Sequence, residues 1–95
     1  MAGFVIISFH QPRPDKENLV IDSMHRYGET SKKFKGLIGV YTLKNDKTGQ
    51  LIGLAIWNSE ESYKAARPEL IKTTQSDDFD AWEMTPVTVH RLRPV

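Results

Sequence analysis

The sequence predicts an α+β fold whose elements follow the order strand, helix, strand, strand, helix, strand. Residues 3–10 and 50–57 are rich in β-branched and aromatic side chains, which is typical of strands. Apolar side chains that recur every three or four residues between 20 and 34 indicate a helix. The segment 45–49 ends in glycine and indicates the turn of a hairpin. Together these patterns predict an antiparallel sheet with helical connections.

The first half of the chain contains two predicted strands and one helix. The first strand, Gly3–His10, ends before two prolines. Asp15 is expected to cap the first helix, and Gly36 is expected to stop it. A second strand is predicted over Leu37–Lys44 and leads into the hairpin turn. One face of the helix carries apolar and small residues: Val20, Met24, Tyr27, Ser31 and Phe34.

The second helix is predicted to follow the strand Gln50–Trp57, with Asn58 or Ser59 as its cap. Proline in a helix interior removes a hydrogen bond and clashes with the preceding turn. Pro68 is therefore expected to break or kink this helix, and a separate helical piece is expected after it.

The last predicted strand is Trp82–Leu92, and Pro86 inside it favours an edge position or a bulge. Crossover connections between strands are almost always right-handed. With that constraint, the element order gives a ferredoxin-like βαββαβ fold, a four-stranded antiparallel sheet with both helices on one face.

The composition excludes several classes of function. The 95 residues suit one domain, predicted to span residues 1–95. A net charge of +1 provides no basic surface for nucleic acid or an anionic membrane, and no apolar stretch approaches the roughly 20 residues that span a bilayer. Because there is no cysteine, disulfides and cysteine-ligated zinc are excluded. We therefore expect a cytoplasmic protein without nucleic-acid or membrane partners.

The first and third strands are apolar on both faces, which predicts a second copy of the chain. Residues 4–7 and 51–57 show no alternation of apolar and polar side chains. Two helices cover only one face of a sheet, and a partner sheet is the simplest cover for the other. The alternative is a monomer with an exposed apolar face, which is rare. A homodimer through the open sheet face is the predicted assembly.

Two segments resemble the antibiotic-biosynthesis-monooxygenase-like domains of the dimeric α+β barrel superfamily. In residues 51–63, LIGLAIWNSEESY, a strand ends in tryptophan, a Ser-Glu helix start follows, and an aromatic side chain lies six positions after the tryptophan. Residues 34–41, FKGLIGVY, are similar to the glycine-marked entry to the second strand of that family. The resemblance implies a dimeric barrel of two ferredoxin-like sheets.

The resemblance transfers the functional residues of the family only in part. In the quinone-forming oxygenases of the family, an asparagine four positions before the tryptophan and the tyrosine six positions after it are implicated. Trp57 and Tyr63 match, whereas Gly53 replaces the asparagine. The haem-degrading members use a histidine in the second helical region, and residues 50–82 contain none. No haem or other cofactor is therefore expected.

Small residues beside Trp57 predict a pocket for a small aromatic ligand. Gly53 and Ala55 share the face of Trp57 at the period of two of a strand. An indole next to two such small residues could border an aromatic-lined cavity. The alternative is that helix side chains fill this space and Trp57 is a core anchor. The Tyr63 phenol could donate to a substrate oxygen, or it could pack on the sheet with its hydroxyl in water.

His10 is the candidate general base. Histidine titrates near pH 6.5 and can accept a phenolic or enolic proton. The alternative is an exposed histidine at a strand end. His25 is expected to lie at or near the helix surface, and His90 at an edge or interface. No histidine pair has HxH or HExxH spacing, so no metal site is predicted, and the acidic residues 77, 78 and 80 suit a solvated loop.

The resemblance implies a cofactor-independent monooxygenase of a small aromatic or polyketide-like compound. Trp57 and Tyr63 would orient this ligand, and His10 would accept its proton. Two alternatives stay open. The chain could be a non-catalytic small-molecule-binding or structural dimer, or an isomerase or decarboxylase on the same scaffold. The fold does not decide among them.

Overall fold

The computed structural model describes residues 3–95 and contains one four-stranded antiparallel sheet. The predicted strand Gly3–His10 lies within this range. The predicted domain, residues 1–95, also includes residues 1 and 2, which lie outside the described residues. The strands follow the spatial order β2-β3-β1-β4, and each neighbouring pair is antiparallel. This order confirms the predicted ferredoxin-like arrangement. The strands are β1 (Phe4–His10), β2 (Leu37–Lys44), β3 (Leu51–Trp57) and β4 (Thr88–Leu92).

The main helices are α1 (Glu17–Ser31) and α2 (Glu60–Thr74), and a short helix α3 (Phe79–Trp82) precedes the last strand. Their buried side chains meet one face of the sheet. Within residues 3–95, no helix is long and apolar enough to cross a bilayer. The larger core cluster lies between α2 and the central strands and consists of Phe4, Ile6, Ala55, Trp57, Tyr63, Ala66 and Leu70.

The two faces of the central strands differ in burial. On β1, Phe4, Ile6 and His10 are buried and point to the helices, together with half-buried Ser8. The odd-numbered side chains of β1 point to the open face, and so do the even-numbered side chains of β3. Several large apolar side chains on the outer strands are exposed there, with Tyr41 at 52%, Leu43 at 44% and Leu92 at 47%. The two central strands, β1 and β3, therefore carry apolar side chains on both faces, and the helices within residues 3–95 cover one of these faces.

The first helix is shorter than the sequence predicted at both ends. Residues Pro14–Lys16 form a single 3-10 turn, and α1 begins at Glu17 without a side-chain cap. The prediction that Asp15 caps the helix is therefore wrong. The helix ends at Ser31, five residues before Gly36. Gly49 is the only residue between 3 and 95 with a positive φ, 74°, so Gly36 is not a left-handed helix stop either.

Gly36 is required for close packing. A Cβ atom at this position would lie 2.3 Å from Ser62 Cβ, because the start of β2 passes directly beside the first turn of α2. The backbone carbonyl of Gly36 also accepts a hydrogen bond from Asn58 N–H at 2.8 Å. Ser62 itself is held by hydrogen bonds to Asn58 and to Ser59, which is the N-cap of α2. The glycine thus fixes the approach of β2 to α2.

Gly36→Ala is expected to lower the free energy of unfolding by about 1–3 kcal/mol, because the added methyl overpacks against Ser62. Gly28→Ala is the matched control, since its Cβ would meet Val40 at an ordinary 3.7 Å. This control lies inside α1 and should raise stability by up to about 1 kcal/mol. Urea unfolding of both variants measures the difference. Equal effects of the two substitutions would contradict the packing role.

Pro68 does not break the second helix, which runs without interruption from Glu60 to Thr74. The predicted separate piece Glu69–Gln75 is therefore part of α2. Pro68 is exposed, so the backbone carbonyl that loses its partner one turn earlier can be solvated. Buried Ala66 and Leu70 hold the helix against the sheet on either side of the proline. Packing on the inner face thus overrides the local preference.

The last strand is only five residues long, because the segment before it folds differently from the prediction. The Asp78 carboxylate accepts a hydrogen bond from Ala81 N–H at 3.2 Å and caps α3, so Trp82 lies in a helix. Glu83 then forms an isolated antiparallel bridge with Pro12. Pro86 precedes β4, which does occupy an edge of the sheet. The prediction of a strand over Trp82–Leu92 is correct only for its second half.

Candidate ligand-binding site

A cavity of about 460 Å³ lies between the helices and the sheet. Such a volume suits a ligand of two or three fused rings. Its floor is formed by the helix-facing side of the sheet and its roof by α1, α2 and the loop before β4. Its lining is largely apolar. Residues that matter for its chemistry are Ser8, His10, Tyr27, Gly53, Ala55, Tyr63, Arg67, Phe79 and Arg91.

The cavity brings together most of the site residues expected from the sequence. His10, Gly53, Ala55 and Tyr63 all contribute to its wall. Trp57 is not among the lining residues and has no exposed surface. Its ring instead packs edge-on against Tyr63, with ring centroids 6.0 Å apart. Trp57 therefore acts on the cavity through Tyr63, as a core anchor behind it.

The indole nitrogen of Trp57 is the one buried side-chain polar atom within residues 3–95 that has no hydrogen-bond partner. An unpaired buried donor usually costs about 1–3 kcal/mol relative to a paired one. The ring is held here by Phe34, at a centroid distance of 6.4 Å, as well as by Tyr63. The aromatic packing thus outweighs the unmet hydrogen bond.

Gly53 keeps space for the hydroxyl of Ser8. The two residues are paired across β3 and β1. A Cβ atom on Gly53 would lie 2.5 Å from Ser8 Oγ and 3.3 Å from the terminal methyl of Met24. Gly53 therefore leaves room for the Ser8 hydroxyl on the cavity side of the sheet.

Ser8, His10 and Glu83 form a hydrogen-bonded chain at one end of the cavity. His10 Nδ1 lies 3.1 Å from Glu83 Oε2, and His10 Nε2 lies 3.1 Å from Ser8 Oγ. A carboxylate only accepts hydrogen bonds, so Nδ1 carries the hydrogen in the neutral ring. Nε2 then keeps its lone pair and accepts from the Ser8 hydroxyl. A histidine held in one tautomer by a carboxylate is the arrangement of a general base.

This chain of hydrogen bonds is buried and fixed from behind. His10 is 6% exposed and Glu83 is 5% exposed, so the alternative of an exposed strand-end histidine is wrong. The second oxygen of the Glu83 carboxylate accepts Gln11 N–H at 2.7 Å. Phe79 packs against the imidazole, with ring centroids 5.9 Å apart. The ring of His10 is thereby held by Glu83, Ser8 and Phe79, and His10 forms part of the cavity wall.

The loop that leads into α3 and its first residue, Phe79, is tied to α1. Asp77 accepts a hydrogen bond from Ser23 Oγ at 2.6 Å and forms an ion pair with Arg26 at 3.0 Å. Its side chain is only 7% exposed, so the prediction of a solvated acidic loop is wrong for Asp77. Asp78 is the cap of α3. This anchoring places Phe79 in the cavity wall beside His10.

The opposite end of the cavity contains two tyrosines and two arginines. Arg67 follows Tyr63 by one helical turn on α2, and both line the cavity. Arg91, on β4, lies with its guanidinium carbon 5.7 Å from the centre of the Tyr63 ring. Tyr27, from α1, completes this end. Burial, followed by the proximity of Tyr63, raises the pKa of Tyr27 to about 12, while Arg67 acts in the opposite direction.

Stability is expected to fall between pH 10 and pH 12 because of Tyr27. The folded protein keeps this phenol protonated to about pH 12, whereas an unfolded tyrosine ionises near pH 10. The folded state therefore holds more protons in this window, and rising pH favours unfolding by roughly 2–3 kcal/mol in total. Tyr27→Phe should remove that part of the decline. Chemical unfolding of both proteins at pH 9 and pH 11.5 tests this, and parallel losses in the two would contradict it.

The other two histidines lie away from the cavity lining. His25 is exposed on α1, as predicted. His90 is exposed on the edge strand β4 and meets Phe9 on the open face, with ring centroids 5.8 Å apart. No group of three or more histidine, cysteine or carboxylate side chains in the described part of the chain is arranged to hold a metal ion.

Sequence reasoning missed the partners of His10 and the charged end of the cavity. Ser8 lies two residues before His10, and this strand spacing was the available signal for it. Glu83 lies 73 residues away, inside a stretch that was expected to be strand. A lone acidic residue between two large apolar ones, Trp82 and Met84, was the available signal for it. Arg67 lies one helical turn after Tyr63, and that spacing was the signal for the second end.

Solved structures with the same fold support the expected architecture. The protein Rv0793 from Mycobacterium tuberculosis is 17% identical, with a TM-score of 0.84 over 99% of this chain and 96% of that one. A candidate antibiotic biosynthesis monooxygenase from Nitrosomonas europaea is 11% identical, with a TM-score of 0.80 over 98% and 90%. Another from Chloroflexus aurantiacus is 16% identical, with a TM-score of 0.73 over 99% and 94%.

The resemblance to antibiotic-biosynthesis-monooxygenase-like domains is thus confirmed at the level of the fold. Identities of 11–17% to these three structures show the fold alone. No protein-family model and no curated protein sequence matches the chain. The residues of the cavity therefore carry the argument for function.

Proposed function

We propose that this chain is a cofactor-independent monooxygenase that oxidises a small aromatic or polyketide-like compound in the cavity. The observation that carries the proposal is the buried hydrogen-bonded chain of Ser8, His10 and Glu83 at the wall of an apolar cavity. A histidine with a fixed acceptor nitrogen can remove an acidic proton from a phenol or an anthrone-type carbon. The names of the similar structures from Nitrosomonas and Chloroflexus point in the same direction.

The chemical steps need only the substrate, dioxygen and one base. His10 Nε2 takes a proton from the substrate, and the resulting carbanion transfers one electron to dioxygen. The substrate radical and superoxide combine into a peroxide anion, which takes back the proton from His10. Loss of water from the peroxide leaves a new carbonyl, so that a CH₂ group and O₂ become C=O and H₂O. Ser8 would hand the proton between substrate and imidazole, and Tyr63 would hold the ring system in place.

The same proposal includes a homodimer through the open face of the sheet. Half-buried apolar side chains of β1 and β3 form the centre of that face, and exposed Tyr41, Leu43 and Leu92 lie around them. Large exposed apolar patches are typical of contact surfaces. A second sheet would remove this surface from water and give a barrel of eight strands.

Oxygen consumption tests the proposed reaction. The protein, with no added cofactor, is mixed with 1,8-dihydroxyanthrone or a dihydroxynaphthalene in an oxygen electrode. We expect one dioxygen consumed for each quinone formed, at a rate above that of the same amount of heat-denatured protein. A product formed without oxygen uptake would indicate an isomerase or decarboxylase instead. Binding without turnover across the panel would indicate a binding protein, and both results overturn the monooxygenase.

A further inference from the structure

We infer that the end of the cavity opposite His10 binds an anionic group, so that the natural ligand is a planar aromatic acid. This inference rests on the proposed function of the cavity as the ligand site and specifies the class of ligand. The cavity lining includes two guanidinium groups, those of Arg67 and Arg91, and no carboxylate side chain among residues 3–95. A wall with two cations and no anion favours a negative ligand group.

The two arginines have no ion-pair partner of their own. None of the ion pairs within residues 3–95 includes Arg67 or Arg91. The nearby carboxylate of Glu60 is bonded to Arg93 at 3.0 Å and lies 3.7 Å from Lys64. The hydrogen bond from Arg93 is the main cause that lowers the pKa of Glu60, and Arg91 contributes least. Arg67 and Arg91 thus keep their hydrogen-bonding capacity for a ligand.

Tyrosine side chains hold this end in a form that suits an acid. Tyr63 is 7% exposed and lies under the Arg91 guanidinium, which can stack on the ring while its N–H groups point elsewhere. Tyr27 also lines this end, and its neutral phenol can donate a hydrogen bond. Two guanidinium groups and a neutral phenol can together bind both oxygens of one carboxylate.

The sheet register fixes the separation between the acidic end and the base. Arg91 is paired with Ile6 on β1, and Ser8 and His10 follow on the same face, two and four residues further along. At about 3.4 Å per residue, the arginine lies roughly 7 Å along the strand from Ser8 and roughly 14 Å from His10. A two-ring or three-ring compound with a carboxylate at one end and a phenol at the other spans this distance.

Calorimetric titration with matched probes tests the inference. The probes are 6-hydroxy-2-naphthoate and its neutral analogue 6-hydroxy-2-naphthamide, which differ only in the charged group. We expect the wild-type protein to bind the acid about tenfold more tightly than the amide, since charge-assisted hydrogen bonds are stronger than neutral ones. This preference should shrink in 0.5 M sodium chloride, because salt screens exposed arginines.

The variants Arg67→Gln and Arg91→Gln should each weaken binding of the acid about fivefold to tenfold and leave the amide unchanged. Arg91→Lys keeps the charge without the planar fork, so its affinity for the acid should lie between those of the wild-type protein and Arg91→Gln. Lys72→Gln is the control, because it removes the same charge from an exposed position of α2 outside the cavity. Circular dichroism checks that each variant keeps the fold.

Equal affinity of the wild-type protein for acid and amide would overturn the inference, and so would failure to bind the acid. Equal weakening of both probes by the arginine variants would also contradict it, since that result indicates a change of shape and not of charge. The proposed reaction and the anionic subsite can be refuted independently of each other. Oxygen consumption with a neutral anthrone, together with no preference for the acid, would retain the monooxygenase and remove the anionic subsite.

Discussion

Replacing Ile7 with glutamate is expected to convert a dimer of this chain into a monomer. Ile7 lies at the middle of the open face, paired with Leu54 on one side and His90 on the other. In a symmetric dimer, the substitution buries one unpaired carboxylate from each copy, and burial of such a charge costs several kcal/mol. The dissociation constant should rise by at least about 100-fold. Sedimentation equilibrium at micromolar concentration measures it.

Two further variants make this result interpretable. Asn18→Glu adds the same charge at an exposed site on α1 and should leave the dimer mass measured by sedimentation unchanged. Leu43→Glu changes a side chain that is already 44% exposed in the protomer, so it tests the same face with little effect on folding. A wild-type protein that sediments as a stable monomer would refute the proposed assembly. So would an Ile7→Glu variant that folds and keeps the dimer.

His10→Asn is expected to reduce turnover of an oxidisable phenol or anthrone by about 10²–10⁴-fold, the usual loss when a general base is removed. Asparagine is chosen because its amide N–H can replace the hydrogen bond from His10 Nδ1 to Glu83, which leaves the buried carboxylate satisfied. The amide has no basic nitrogen and cannot accept the substrate proton. The initial rate of oxygen consumption at low substrate concentration reports kcat/KM for this step.

His25→Asn serves as the control, because it removes a histidine from the exposed side of α1 and should not change the rate. Glu83→Gln should give a smaller loss than His10→Asn, because it weakens the hold on the imidazole but keeps the base. Its loss should appear in kcat more than in KM. An active His10→Asn variant with wild-type kcat/KM would exclude His10 as the base.

The parts of the fold that depend on local pattern were predictable from the sequence. The strands 4–10 and 51–57 were predictable because their β-branched and aromatic residues favour strand locally. The sequence predicted Asn58 or Ser59 as the cap of α2 from the residue types, and Ser59 is the cap. The helix through Pro68 was not predictable, because its stability comes from the burial of residues such as Leu70 against other elements.

The candidate site was only half accessible to sequence reasoning. Ser8 and His10 share a face of one strand, and a spacing of two residues is enough to place them together. The pairing of His10 with Glu83 depends on the bridge between Pro12 and Glu83, which joins distant segments. Trp57 was expected in the cavity wall because the period of a strand gives the face but not the depth. The ring of Tyr63 lies between Trp57 and the space that a ligand can enter.

The alternation of β1 has a consequence for how this sequence can change over evolutionary time. Its even-numbered side chains meet the helices and the cavity, and its odd-numbered ones meet the open face. Inserting or deleting one residue in this strand would exchange the two sets, so that the proton-accepting side chain would point toward the neighbouring copy. Lineages of this chain are therefore expected to accept length changes in the 45–49 turn and to conserve the length of residues 4–10.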